Sequence, residues 1–283
     1  MDSDTRQRPA RTAQPSLPAY AALPINHCNL PAKILGSLTF QHHPAPLLLD
    51  GVAELHRPLW RWLDELESVA ARGQLFTEYM ETNFRLGHPE DVGLNHNNRI
   101  TRAKADYLRL IRGWLFDPDS REGAVLKGWV ESRFGLLPRW HKGPVPSAED
   151  QSYQRYMHER TRGIYNTNSL EAQLDLLFSY CQYELQQRYA DQTHLRLYRG
   201  FNRLTSHEIL HQFSKHRYVI LLNNLNSFSN SEDLAGEFGD HVMQANIPLS
   251  KIVTYQQLLL NRLNGEGEHL VLGGVCEMQE IVR

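Results

Sequence analysis

Cysteine is scarce in this chain, and the three present, Cys28, Cys181 and Cys276, are far apart and odd in number. That excludes a disulfide framework and paired-cysteine metal knuckles, and it fits a reducing cytoplasm. An excess of either charge is equally lacking, since 30 Lys and Arg against 32 Asp and Glu leave a formal net charge of -2. Nothing in that balance points to nucleic acid or to an anionic membrane surface. No apolar run approaches the roughly 20 residues that span a bilayer, and the first residues lack the apolar stretch of an export signal. A cytoplasmic protein is expected, with no transmembrane segment and no nucleic-acid partner. Large apolar side chains are few from residue 1 to 24, where Pro, Ala, Arg, Gln and Ser prevail, so this stretch is expected to be a mobile tail. No internal repeat is found.

What is present is enough apolar material, 41% of 283 residues, for a packed core. Residues 25–283 are expected to form a single domain, mainly helical over 25–190 and sheet-rich over 191–283. After Asn168, a good N-cap with Glu171 three residues on, Leu170, Leu174, Leu177, Phe178, Cys181 and Leu185 fall on one helical face. Pro58 should break or begin a helix within Val52–Leu63, and 86–98 and 142–150 read as loops. Beyond Asp191 the rhythm changes to short apolar runs near 194–199, 217–222, 241–247 and 269–276. The fold class is therefore α+β, a helical N-terminal part packed on a C-terminal mixed sheet.

Three short stretches of this second part carry chemistry. In Gly265-Glu266-Gly267-Glu268, residues two apart in an extended segment point to the same side, roughly 6 to 7 Å apart, so Glu266 and Glu268 address one cleft. Paired carboxylates suit a reaction at an anomeric carbon, one stabilising an oxocarbenium-like transition state and the other polarising the nucleophile. The same four residues also read as a solvated turn into a strand. Arg199 ends an apolar strand on the face of Leu195 and Leu197, where a guanidinium needs a carboxylate or a phosphate as partner. Gly200 after it leaves the main chain open to a planar amide. Ser227 and Ser229, flanking Phe228, end the run that starts at Tyr218, and a hydroxyl there can hold a carboxylate in place.

In order and spacing, Arg199, Ser227 and Glu266-x-Glu268 resemble the arginine-specific mono-ADP-ribosyltransferases of the R-S-E class. Segments 120–135 and 168–177 narrow the resemblance to the dinitrogenase reductase ADP-ribosyltransferase family, over most of the chain after about residue 25. The resemblance implies NAD as substrate, with no metal required. Arg199 would bind its phosphates, Ser227 orient Glu268, Glu268 contact the nicotinamide ribose, and Glu266 polarise an acceptor guanidinium whose own pKa is too high for easy deprotonation. Asn224 and Gly200 would also contact NAD, and either Phe228 or Phe238 would face nicotinamide. The serine motif reads Ser-Phe-Ser where many relatives have Ser-Thr-Ser. The implied function is transfer of ADP-ribose to an arginine of dinitrogenase reductase, reversibly switching off nitrogenase, under control of a PII-type signalling protein. An NAD glycohydrolase or an NAD-binding regulatory module is the alternative.

A rival signal is His207-Glu208-Ile209-Leu210-His211, which matches a zinc protease pattern when helical. Polar residues from Gln212 to Arg217 deny it the apolar face of a zincin helix, so a short surface helix between two strands is expected. His42, His43 and His96 lie in loop-like surroundings without evident metal partners. Trp60, Trp62, Trp114 and Trp129 are expected to pack between helices. Arg99, Arg102, Arg109 and Arg112 form a basic stripe, read as a solvated helix face.

Overall fold

The computed structural model describes residues 15–86, 105–164, 169–259, 262 and 267–282. Among the described residues the α-helices lie before residue 190, apart from one short helix at Glu232–Gly236. In the Ser169–Arg188 helix every residue of the expected apolar face, Leu170 through Leu185, is buried; the expected cap, Asn168, lies outside the described residues. Pro58 begins a helix: Val52–Leu55 ends at His56 and Arg57–Asp64 starts afresh, with proline in the first turn where no amide donor is missed. The Tyr107–Phe116 helix is fixed at its start twice over. Asp106 caps it through Leu108 N at 2.8 Å. Gln173 of the long helix accepts from Tyr107 N at 2.9 Å and donates to Ala105 O at 3.0 Å. Arg72 and Glu184, both buried, tie Val69–Phe84 to the long helix through two parallel bonds of 2.7 and 2.9 Å.

Six strands follow: β1 (His194–Phe201), β2 (Glu208–Ser214), β3 (Arg217–Ser229), β4 (His241–Pro248), β5 (Ile252–Tyr255) and β6 (Glu268–Glu280). All described pairings are antiparallel, so the sheet is not mixed as the sequence suggested. β3 and β6 run together from Arg217↔Gln279 to Ser229↔Glu268. β1 and β4 pair along their full length. The two ribbons meet at their ends, through Tyr198↔Ser229 on one side and Met243↔Glu280 with Gln244↔Gln279 on the other. These pairings close β3, β1, β4 and β6 into a ring within a single six-stranded sheet, and Arg199 lies beside one junction. A bulge sits between Leu222 and Leu225, and opposite it a Cβ on Gly273 would stand 1.6 Å from Asn223 O, so only glycine fits.

The H-E-x-x-H stretch is not helical. Glu208–Ser214 forms the strand β2 along the open edge of β3, whose exposed backbone groups it satisfies, a tertiary demand that outweighs local helix preference. Residues four apart on a strand are about 13 Å apart, so His207 and His211 cannot share a metal. His207 instead stacks on Phe201 at 4.0 Å between centroids, and Glu208 pairs with Arg139 at 3.3 Å and with the Tyr20 hydroxyl. Part of the expected tail is packed as well: Leu17 and Ala21 are buried, Leu23 N bonds Gly135 O, and Leu137 N bonds Ala21 O. Residues 1–14 of that tail lie outside the described residues. Of the loop expected at 86–98, only Leu86 is described.

Candidate active site

Arg199, Ser227 and Glu268 come together where β1 meets the end of the β3–β6 ribbon. Register does most of this. Ser229 faces Glu268 and Ser227 faces Leu270, so Ser227 and Glu268 are diagonal neighbours on one face of the ribbon. Arg199 reaches across from β1 and donates from Nη1 to the Ser227 carbonyl at 2.6 Å. Its guanidinium lies between two rings, 5.8 Å from the centroids of both Phe201 and Phe228. Its Nε is buried with no hydrogen-bond partner. Burial pushes this guanidinium down to about 10, against the pull of Glu268, and at neutral pH it remains charged. A cation so enclosed, with an unused donor, calls for an anionic partner.

Glu268 sits above the ordinary glutamate value because burial disfavours its charge; hydrogen bonding from Ser227 and the charge of Arg199 hold it back. The Ser227 oxygen also accepts from the Trp114 indole nitrogen at 2.9 Å. Glu268 borders a small pocket with Ile111 and Leu115 of the Tyr107–Phe116 helix and with Thr254, Gln256 and Leu270 of the sheet side. A larger cavity of about 550 Å³ opens beside Arg196, which alternation puts on the opposite face of β1 from Arg199. It is not the site described here.

The turn into β6 is built by Gly267. Its φ of +68° is left-handed, a Cβ there would stand 2.1 Å from Asn230 Oδ1, and its amide donates to Gln256 Oε1 at 2.5 Å. The backbone is therefore not extended at Gly267, and the same-side argument for Glu266 and Glu268 does not hold there. Gly265 and Glu266 lie outside the described residues.

Other expected contacts are placed differently. Asn224 is buried, its amide nitrogen donating to Lys127 O at 2.8 Å and Leu136 O at 3.0 Å. It ties β3 to the Arg121–Phe134 helix and does not reach the cleft as a free donor. Gly200 is required by packing, since a Cβ there would meet Ala235 O at 2.2 Å. Of the two aromatic candidates, Phe228 is 2% exposed and Phe238 74%. Phe228 forms the floor beneath Arg199, whereas Phe238 offers a free ring. The neighbours of the cluster that the sequence did not assign to the site are Trp114, Asn230 and Gln256. Only Trp114 gave a signal, because a buried indole N–H needs an acceptor.

Arg109 pairs with Glu122 at 3.1 Å and Arg112 donates to Arg262 O at 3.0 Å, while Arg99 and Arg102 lie outside the described residues. His42 pairs with Glu277 at 3.1 Å; His96 is not among the described residues. Among the described residues no helix is long and apolar enough to cross a membrane, and no group of three or more His, Cys, Asp or Glu is placed to hold a metal.

Comparison with known proteins gives the family of the chain. A family model described as Dinitrogenase reductase ADP-ribosyltransferase (DRAT) matches residues 25–280. The NAD(+)--dinitrogen-reductase ADP-D-ribosyltransferase of Rhodospirillum rubrum is 37% identical over 252 residues, 88% of this chain and 91% of that protein. No solved structure matches. The protein is thus an ADP-ribosyltransferase, an enzyme that uses NAD as its substrate. More narrowly, the chain belongs to the dinitrogenase reductase ADP-ribosyltransferase family.

Proposed function

We propose that this protein transfers ADP-ribose from NAD to one arginine of dinitrogenase reductase, releasing nicotinamide, and that Arg199, Ser227, Glu268 and Glu266 carry the reaction. The observation that supports this most is the Arg199–Ser227–Glu268 cluster at the sheet junction, with the unsatisfied Arg199 Nε inside it. The antiparallel sheet, preceded in the chain by helices, is read as a mono-ADP-ribosyltransferase fold, and residues 25–283 as its single domain.

In this reading Arg199 binds the NAD phosphates with the donors that Ser227 leaves free. Phe238 lies against nicotinamide. Gly200 offers its main chain to the carboxamide. Glu268, ionised, bonds the nicotinamide ribose as the C1′–N bond breaks, and the bonding pair leaves with nicotinamide. Positive charge develops on the ribose as that bond stretches, and a carboxylate fixed beside it in a water-poor site stabilises the transition state more than the ground state. An acceptor guanidinium nitrogen then bonds to C1′ and gives its proton to Glu266. The product is ADP-ribosyl-arginine, free nicotinamide and a proton.

Adding a bulky dianionic group to dinitrogenase reductase would block its docking and so switch off nitrogenase; a PII-type regulator follows from the family resemblance, and a cytoplasmic setting from the cysteine usage. The test is Glu266→Ala. It is expected to abolish transfer while sparing NAD cleavage. If it retained full transfer, the role of Glu266 would be wrong; if the unaltered protein only hydrolysed NAD, the glycohydrolase reading would replace this one.

A further inference from the structure

We propose that Trp114 is a positioning residue for the transfer reaction, its indole N–H fixing the direction in which the Ser227 hydroxyl points. The inference rests on the reading of Glu268 as the carboxylate at the reacting ribose. An indole N–H only donates, an ionised carboxylate only accepts, and a serine hydroxyl has one hydrogen to give. With Trp114 Nε1 2.9 Å from Ser227 Oγ, the lone pair on that side is taken. The hydroxyl hydrogen is then left for Glu268, the acceptor on the same ribbon face. Without the indole the hydroxyl rotor is free to turn, and the carboxylate loses a fixed donor.

Trp114 is itself held too firmly for this contact to be incidental. It is 2% exposed, on a helix whose first turn is tied to the Ser169–Arg188 helix through Gln173. The Lys127 ammonium lies 5.7 Å from its ring centroid and is 1% exposed. Lys127 in turn bonds Asp119 at 2.8 Å and His141 Nδ1 at 3.2 Å, and Asp119 accepts from the Trp140 indole at 3.0 Å. Contacts thus run from Asp119 through Lys127 and Trp114 to Ser227, the diagonal neighbour of Glu268 on the ribbon. Packing alone would hold the ring, but it would not require the nitrogen edge to face a serine oxygen.

The experiment compares unaltered protein with Trp114→Phe, with Trp114 replaced by its benzothienyl analogue, which keeps the shape and lacks the N–H, and with both changes in a Ser227→Ala background. Glu268→Gln serves as reference. Transfer from NAD to dinitrogenase reductase is followed as kcat and as KM for NAD, and thermal unfolding is measured alongside. For the benzothienyl variant the expected result is a fall in kcat of about tenfold with KM nearly unchanged, no large change in unfolding temperature, and no further loss when Ser227 is already alanine. Unchanged kcat in the benzothienyl variant, with Glu268→Gln inactive, overturns the role of Trp114 and leaves the site reading intact. Losses that simply add to that of Ser227→Ala also overturn it. Full activity in Glu268→Gln overturns both.

Discussion

Replacing Ser227 with alanine removes a single oxygen on which two other groups depend. The Arg199 contact is made to the Ser227 carbonyl at 2.6 Å, so it survives the substitution. What is lost is the acceptor for Trp114 and the donor to Glu268. A hydrogen bond to a charged group contributes about 1.5–3 kcal/mol. Expressed wholly in the transition state, that lowers kcat by roughly 10- to 150-fold. The pH profile should move as well. Glu268 already sits high because of burial, and Ser227 is one of the two groups that restrain it. Without Ser227 the carboxyl stays protonated to higher pH, and since the ionised form is the active one, the acid limb of kcat shifts upward. The unpaired indole N–H adds about 1–3 kcal/mol of instability, a fall of several degrees in unfolding temperature. Initial rates of label transfer from NAD, taken across the acid range at saturating NAD, measure the first two effects. If kcat and the acid limb are both unchanged in a folded Ser227→Ala protein, Ser227 does not orient Glu268 and the reasoning is refuted.

Three further outcomes follow from the same structure. Glu184→Ala should cost about 3–5 kcal/mol in denaturant unfolding because it strands the buried Arg72 guanidinium, whereas a loss below 1 kcal/mol would show that the pair is solvated. His141 is pushed down to about 4 by burial and by Lys127, and His207 to about 4 by burial and by Arg199. The unfolded chain thus binds more protons between about pH 6.5 and 4, so stability must be lost as pH falls through that window, by about 3 kcal/mol for the nearly enclosed His141; a flat urea midpoint from pH 7 to 5 would contradict this. His211→Ala should leave ADP-ribose transfer within about twofold of normal, because His211 lies on an exposed edge strand beside Phe213, and loss of activity would revive a role for the H-E-x-x-H stretch.

Much of this was legible in the sequence because the signals were periodic. Leu170 to Leu185 repeat at helical spacing, and β1, β3, β4 and β6 lie where apolar runs were seen. Order alone suggested the trio Arg199, then Ser227, then Glu268, and the fold brings these three to one strand junction. What failed depended on partners distant in the chain. β2 is a strand because β3 offers an open edge, which no local pattern in Glu208–Ser214 announces. β5 has only four residues, too few to show a period. Gly267 is needed for its left-handed backbone and for the Asn230 side chain against it, a partner 37 positions away that the sequence does not point to. Asn224 ties the middle of β3 to Lys127 and Leu136 through its side-chain nitrogen, contacts between residues 97 and 88 positions apart that no local pattern announces. Trp114 was correctly read as buried, yet burial concealed which way its nitrogen faces.

Glu268 is the proposed carboxylate at which NAD is opened. The direct measurement is transfer of label from NAD to purified dinitrogenase reductase by the unaltered protein and by Glu268→Gln, with the PII-type partner supplied and folding of both proteins verified. Label on one arginine of the target, at least a thousandfold weaker with Glu268→Gln, roughly the loss of a 4 kcal/mol transition-state interaction, is the predicted result. Equal labelling by the two proteins would contradict it and move the chemistry to another group.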